Sequence, residues 1–334
     1  MRPHATPGGD PKPGRALPRY LPLGVTGRLP EKRMTEQRPI HSAVLVKQVP
    51  DTHNLTGEVM TKDGTMNRNA LPAIFNPEDL NALEMALQVR DRNGGTVTVM
   101  TMGPPKAANV LREALFRGAD RVILLTDRKF AGADTLATSY VLQCAVQKAG
   151  PFQLVLCGRQ AIDGDTAQVG PQLAEKLGIP QITYAETIVE IAGDQIVVER
   201  ALDSGSEIVR CKLPCLLTVV GSANTPRPAS VRRRIERKLA AAPGEYAALR
   251  AQWPEFETDA QLEAYLTARD LKIQVWTVAD IGAAEEQVGL AGSPTQVHKI
   301  NFVVLESTES KTVPATPEGI AAMIQELVHE YIVG

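Results

Sequence analysis

Between Ser42 and Gly178, an apolar, β-branched run gives way four times to a segment whose apolar residues recur at helical spacing. The runs occupy 43–49, 96–100, 122–125 and 154–157, and the helical segments 77–92, 106–117, 134–148 and 166–177. A strand followed by a helix cannot return as a tight hairpin, so its successor pairs in parallel after a crossover. Four such units in a row predict an α/β fold with a doubly wound, mainly parallel sheet and helices on both faces. Local signals agree. Asn76 fits an N-cap, Pro77 suits the first helical position, and Glu78 and Asp79 complement the positive helix end. Leu80, Leu83 and Leu87 form the stripe that faces the core, and Gly178 is placed to stop the fourth helix.

The pattern shifts at Gln181. Short runs at 188–191, 195–200, 207–211 and 216–219 are separated by Gly-Asp and Asp-Ser-Gly turns, which predicts antiparallel hairpins appended to the parallel sheet. At the other end, residues 1–40 hold eight of the 24 prolines, five glycines and no apolar periodicity. They are read as a disordered extension, or as sequence upstream of a start at Met34. They also hold eight Lys/Arg against three Asp/Glu, which leaves 41–334 at −7 within a chain total of −2. An acidic body with 4% aromatic residues argues against nucleic-acid binding, by phosphate neutralisation or by base stacking. No apolar run is long enough for a membrane span, and no apolar signal segment is present. Cys144, Cys157, Cys211 and Cys215 are too few for a disulfide scaffold in 334 residues and read as core thiols of a cytoplasmic protein.

Ligands of doubly wound sheets bind at the carboxyl ends of the strands, where the strand order switches. The loops there begin at Lys47-Gln48-Val49-Pro50-Asp51, Met102-Gly103-Pro104-Pro105, Gly132-Ala133-Asp134-Thr135 and Gly158-Arg159-Gln160. Each of the last three leads into a helix, so converging helix N-termini predict a phosphate or pyrophosphate site. The fourth loop is the most informative, with glycines, acids, Thr166 and Gln168 around one helix start. Amides of Thr166, Ala167 and Gln168 would face phosphate oxygens. Asp163 and Asp165 would repel phosphate, and fit loop caps or ribose binders. No G-x-G-x-x-G and no Walker lysine occurs. His4, His41, His53, His298 and His329 show no metal-site spacing, and no nucleophile has a base beside it. No catalytic residue and no metal ligand is therefore assigned; a bound cofactor carries the reaction.

The stretches Val46-Lys47-Gln48-Val49-Pro50-Asp51, Asn76-Pro77-x-Asp79, Met102-Gly103-Pro104, Gly118-Ala119-Asp120, Gly158-x-Gln160-Ala161-Ile162-Asp163 and Glu199-Arg200 with Lys212-Leu213-Pro214 resemble the beta subunit of electron transfer flavoproteins. The resemblance runs in order from about 43 to 238 and resumes from Val275 to about Phe302. It implies an adenine-nucleotide-binding α/β domain over 41–225. It also implies a C-terminal arm over 226–334 contacting an alpha subunit, with an insertion at about 239–271. In the common branch the beta subunit holds AMP structurally, with Asn-Gln-Thr in the fourth loop. Here that loop reads Asp165-Thr166-Ala167-Gln168-Val169-Gly170-Pro171, which, with Phe130-Ala131-Gly132-Ala133-Asp134-Thr135, is similar to the electron-bifurcating branch.

That branch implies a FAD in this subunit in place of AMP, with Leu45, Lys47, Asn76, Asp79, Met102, Gly103, Asp134, Thr135, Asp165, Thr166, Ala167, Gln168, Val169 and Gly170 lining its pocket. The implied donor is NADH. The implied acceptors are ferredoxin or flavodoxin and, through the alpha-subunit FAD, a flavin dehydrogenase. Common-branch members grip acyl-CoA dehydrogenases with an apolar anchor where this chain has Ser206, and Leu202 is the nearby aliphatic. A C-terminal stretch, 317–332, carries Ile320, Met323, Ile324 and Leu327 at helical spacing and is read as an amphipathic helix docked on a partner or on the core. The basic run Arg232, Arg233, Arg234, Arg237 and Lys238 is read as a solvated helix face or subunit contact.

Overall fold

The computed structural model describes residues 38–51, 72–295 and 311–330. Expectations for residues 1–37, His53, His298, Phe302 and Ile332 lie outside the described residues. In chain order, the first half holds β1 (Ile40–Leu45), β2 (Gln48–Pro50), β3 (Ala73–Phe75), α1 (Pro77–Asn93), β4 (Gly95–Met102), α2 (Ala108–Arg117), β5 (Arg121–Leu125), α3 (Thr135–Ala149), β6 (Leu154–Gly158) and α4 (Val169–Leu177). Then come β7 (Gln181–Ala192), β8 (Gln195–Leu202), β9 (Gly205–Lys212), β10 (Cys215–Val219) and α5 (Val231–Arg237). Last are α6 (Tyr246–Gln252), α7 (Asp259–Ala268), β11 (Gln274–Trp276), α8 (Val278–Ile281) and α9 (Pro317–His329).

Nine strands form one sheet in the order β11-β5-β4-β1-β6-β10-β7-β8-β9, parallel from β11 to β7 and antiparallel beyond. Both faces are covered, and β1 shows why. Ile40, Val44 and Val46 pack into the core under α1 and α2, while Ala43 and Leu45 pack into the core under α3 and α4. A strand buried on both faces must be apolar at successive positions, which is the unbroken run seen in the sequence. The order reverses at β1, which pairs with β4 on one side and β6 on the other. The switch point therefore lies between the carboxyl ends of β1 and β6.

The run expected at 188–191 extends over all of β7, and three further differences from the sequence expectation bear on the site. The run 216–219 is not half of a hairpin. As β10 it lies between β6 and β7, parallel to both, and all five of its residues are buried. Its lack of apolar–polar alternation reflects that two-sided burial. The run 43–49 is broken at Val46, because the Lys47 N–H donates to the Asp79 carboxylate at 2.8 Å instead of to a neighbouring strand. Gln48–Pro50 then forms a separate antiparallel ribbon with Ala73–Phe75. Finally, α4 starts at Val169, not Thr166. Asp165 and Ala167 have φ of +49° and +52°, which a right-handed helix does not contain.

The segment 239–271, expected as an insertion, packs on the sheet through Ala240–Ala242, Tyr246, Leu262, Leu266 and Leu271. None of the residues of α5 or α9 is buried, and Ile320, Met323, Ile324 and Val328 of α9 are exposed. Cys157 and Cys215 are buried and Cys144 and Cys211 half-buried, all four as free thiols whose pKa burial raises. No helix among the described residues is long and apolar enough to cross a membrane.

The tightest packing constraint sits at the switch point. A Cβ on Gly158 would lie 2.6 Å from Asp79 Oδ1 and 2.8 Å from the Asp79 backbone nitrogen, so the end of β6 touches the first turn of α1 directly. Gly158→Ala is expected to destabilise the protein by about 1–3 kcal/mol, as overpacking against backbone does. Gly164→Ala, with nothing within 4 Å, is expected to leave the thermal midpoint unchanged. Parallel thermal melts of the two variants check this, and equal midpoints would show that the contact yields.

Candidate functional site

The end of β1, the start of α1 and the loop after β6 are joined by buried side chains. Asp79 is 6% exposed and accepts the N–H of Lys47 and the N–H of Gly158, each at 2.8 Å. Asn76 is fully buried. Its side chain makes no cap bond to α1, against the sequence expectation. Instead its amide donates to the Gln160 carbonyl at 2.9 Å and accepts the Ile162 N–H at 3.1 Å. Glu78 accepts the Gln160 N–H at 3.0 Å and pairs with Arg159 at 3.1 Å. Lys47 Nζ reaches across the same seam to Asp163, at 2.7 Å and 2.8 Å to its two oxygens. That pair is half exposed, so it is worth under about 1 kcal/mol.

Asp79 is the electrostatic centre of this arrangement. Desolvation pushes its carboxyl up to about 7, against the lowering effect of the Gly158 and Lys47 N–H groups, the Asn76 side chain and the Lys47 charge. A buried carboxylate with two main-chain donors holds two loops in register, and the two amides gain an acceptor they would otherwise lack.

Two further helix starts flank the fourth loop, and they differ. Asp134 caps α3, with Oδ1 accepting the N–H groups of Leu136 and Ala137 at 2.9 Å and 3.0 Å. Desolvation would raise its carboxyl, but the bonds from Ala137, Thr295 and Leu136 outweigh it and hold the group below the usual carboxylate range. At α4, by contrast, Gln168 precedes the first turn without any side-chain cap. The amides of Thr166, Ala167, Gln168, Val169 and Gly170 donate to no atom of the described residues. Left-handed Ala167 followed by right-handed Gln168 is a backbone sequence found in anion-binding concavities.

The α3 and α4 starts are bridged. The Thr135 hydroxyl donates to Gln168 Oε1 at 3.0 Å and accepts from Gln172 Nε2 at 3.3 Å. Gln172 Oε1 is buried and has no partner among the described residues. Gly170 lets this first turn lie on the sheet, since a Cβ there would meet Thr218 Cγ2 at 2.8 Å and Cys157 Sγ at 2.9 Å.

The residues singled out in the sequence thus fall into two sets. Leu45, Asn76, Asp79 and Gly170 are buried beneath the edge. Lys47, Met102, Gly103, Asp134, Thr135, Asp165, Thr166, Ala167, Gln168 and Val169 reach solvent along it. Asp165 accepts from Gln160 Nε2 at 2.9 Å, as a loop brace does. Sequence reasoning missed Gln172, whose signal was its place four residues after Gln168 on one helix face. It also missed Ser293 and Thr295, which bond to Asp134 from 161 residues away or nearly so and leave no local signal. No group of three His, Cys, Asp or Glu suited to a metal occurs among the described residues.

The family model described as "Electron transfer flavoprotein domain" matches residues 63–249, and the chain belongs to the electron transfer flavoprotein family. Within it, the chain falls among beta subunits. It is 45% identical to the electron transfer flavoprotein subunit beta of Thermoanaerobacterium thermosaccharolyticum over 254 residues, 76% of this chain and 85% of that one. It is 44% identical to the caffeyl-CoA reductase-Etf complex subunit CarD of Acetobacterium woodii over 77% of this chain and 85% of that one. With the protein FixA of Bradyrhizobium diazoefficiens the figures are 38%, 86% and 91%.

The raised carboxyl of Asp79 sets a pH dependence. Its folded pKa of about 7 lies above the ordinary 3.8, so its contribution to stability is full below about pH 4 and is lost as pH rises through 7. The whole swing is about 4 kcal/mol. Asp79→Asn loses one acceptor at every pH but carries no proton linkage. The stability advantage of the native protein over the variant is therefore expected to shrink between about pH 4 and pH 7 and to stay level above that. Denaturant titrations at several pH values check it, and a constant gap would contradict a buried, proton-holding Asp79.

Proposed function

We propose that this chain is the beta subunit of a two-FAD, bifurcating electron transfer flavoprotein, with the adenine-nucleotide end of one FAD at the carboxyl edge described above. The observation that carries the reading is the run of five unpartnered amides from Thr166 to Gly170 at an uncapped helix start. Free N–H groups at the positive end of a helix, on the switch-point edge, favour a phosphate or pyrophosphate. The buried, unpartnered Gln172 Oε1 beside them suits a ribose hydroxyl or an adenine amine as donor. These residues fit the group.

In this reading Thr166–Gly170 hold the pyrophosphate, with Thr135, Gln168 and Gln172 beside them and Met102, Gly103 and Lys47 along the rim. Leu45 and Gly170 shape the floor, and Asn76 and Asp79 hold the loops in place. A bound FAD supplies acceptance of a hydride's two electrons from NADH and their release one at a time, to ferredoxin or flavodoxin and, through the alpha-subunit FAD, to a flavin dehydrogenase. The fourth loop lacks the Asn-Gln-Thr of AMP-holding relatives. Two relatives are also named for CoA-ester reductases, a caffeyl-CoA reductase-Etf complex and an acryloyl-CoA reductase electron transfer subunit. The missing Asn-Gln-Thr favours FAD over a structural AMP. The alpha subunit would meet the C-terminal segment, where α9 presents an apolar face that buries nothing. Leu202, 45% exposed at the tip of the β8–β9 hairpin, is the aliphatic residue available to a dehydrogenase there.

Co-purification with an alpha subunit, followed by counting flavin and AMP per heterodimer, tests the reading. Two FAD and no AMP are expected, and one FAD with one AMP would replace it by the non-bifurcating alternative. Ala167→Asp tests the site. Asp tolerates the left-handed conformation better than Ala does, so the fold is retained while a carboxylate enters the amide cluster. Binding of the second nucleotide is expected to weaken by at least about tenfold, the loss of one charge-assisted contact. Unchanged binding would move the site elsewhere.

A further inference from the structure

Asp134 stands at the ligand edge, yet both of its carboxylate oxygens are already hydrogen-bonded within the protein. Oδ1 caps α3 through the amides of Leu136 and Ala137. Oδ2 accepts the Thr295 hydroxyl at 2.7 Å and the Thr295 N–H at 3.2 Å. The Asp134 N–H donates to Ser293 Oγ at 2.8 Å, and Ser293, 8% exposed, donates in turn to the Gly289 carbonyl at 2.7 Å.

The rest of the 289–295 segment is built to lie against the same loop. Leu290 N–H donates to the Ala131 carbonyl at 3.0 Å. Gly289, at φ +54°, sits so close to the Lys129 and Ala131 carbonyls that a side chain would collide with them. Gly132, at φ +74°, faces Leu290 across the contact. From Asp134 the connection runs on through the next residue, because Thr135 donates to Gln168 Oε1 and accepts from Gln172.

We propose that residues 289–295 form a clasp in which Ser293 and Thr295 are positioning residues for the ligand edge: they fix Asp134, and through the first turn of α3 they fix Gln168 and the fourth loop. Asp134 thereby serves the site without touching the ligand. The proposal rests on the nucleotide site argued above and adds to it a dependence on the segment that leads into the C-terminal part of the chain. A hydrogen-bonded rotamer that is locked from behind holds its neighbour within the small tolerance a binding site demands. Releasing it lets α3's first turn and the loop move apart.

The test uses the heterodimer with its alpha subunit, stripped of nucleotide and titrated separately with FAD and AMP. Thr295→Val removes the hydroxyl at an exposed, near-isosteric position. It is expected to weaken nucleotide binding to this subunit by at least about fivefold, the lower range of site-to-site coupling. The thermal midpoint of the nucleotide-free protein and the alpha-subunit flavin are expected to stay unchanged. Thr295→Ser, which keeps the hydroxyl, is expected to restore affinity. Native affinity in Thr295→Val overturns the clasp, as does a failure of Thr295→Ser to rescue or a midpoint that falls in step with affinity. If Ala167→Asp weakens binding while Thr295→Val does not, the clasp alone fails. If neither weakens it, the nucleotide site itself is wrong and the clasp falls with it.

Discussion

A single carboxylate, that of Asp79, joins the three pieces of chain that make the switch point. Its oxygens take the N–H that ends β1 and the N–H that ends β6, while its backbone belongs to the first turn of α1. Without an acceptor there, two main-chain donors would be buried and unpaired at the place where the strands diverge. The cost is a carboxyl desolvated enough to hold its proton to about pH 7. Asn76 and Glu78 extend the same solution to the loop after β6, bonding Gln160, Ile162 and Arg159. Asn76 and Asp79, which look like ligand groups in sequence, are therefore residues that bond these segments to one another.

The two helix starts at the edge show how capping decides what is left for a ligand. At α3 the cap is internal and complete, because Asp134 satisfies two amides and is itself held by Ser293 and Thr295. At α4 the cap is missing, and the strained residues before it, Asp165 and Ala167, keep the loop from continuing the helix backwards. Left-handed backbone at non-glycine residues costs of order 1–3 kcal/mol each and persists where the surroundings impose it. The strain and the amides that donate to no atom of the described residues occur together at this helix start.

The fold was legible in the sequence to the extent that burial leaves a local pattern. The first four strand–helix units, the Gly178 stop and the β8–β9 hairpin all follow from apolar spacing and turn residues. The exception, β10, is instructive. Its short run at 216–219 looked like one more hairpin strand in the series after Gln181, yet it fills the gap between β6 and β7. Pairing across sixty residues is decided by which strand edges remain open, and no window of sequence contains that information. The candidate site was legible as a set of loops but not as a division of labour. Nothing local distinguishes an Asn76 that caps α1 from one that reaches Gln160, nor an Asp134 that meets a ligand from one held by Thr295.

The sequence alone determined the class of fold, the loops that gather at the carboxyl edge of its sheet and the family to which the chain belongs. Each is a matter of short-range order: apolar period, helix-start residues, and motifs in a fixed sequence. Tertiary structure decided which polar groups at that edge are already paired and which are free. That assignment depends on distances between segments 80 to 160 residues apart, as between Asp79 and Gly158 or Asp134 and Thr295. Hydrogen bonds are satisfied in space, so the amides of Thr166 to Gly170, which donate to no atom of the described residues, become visible only once the segments around them are in place.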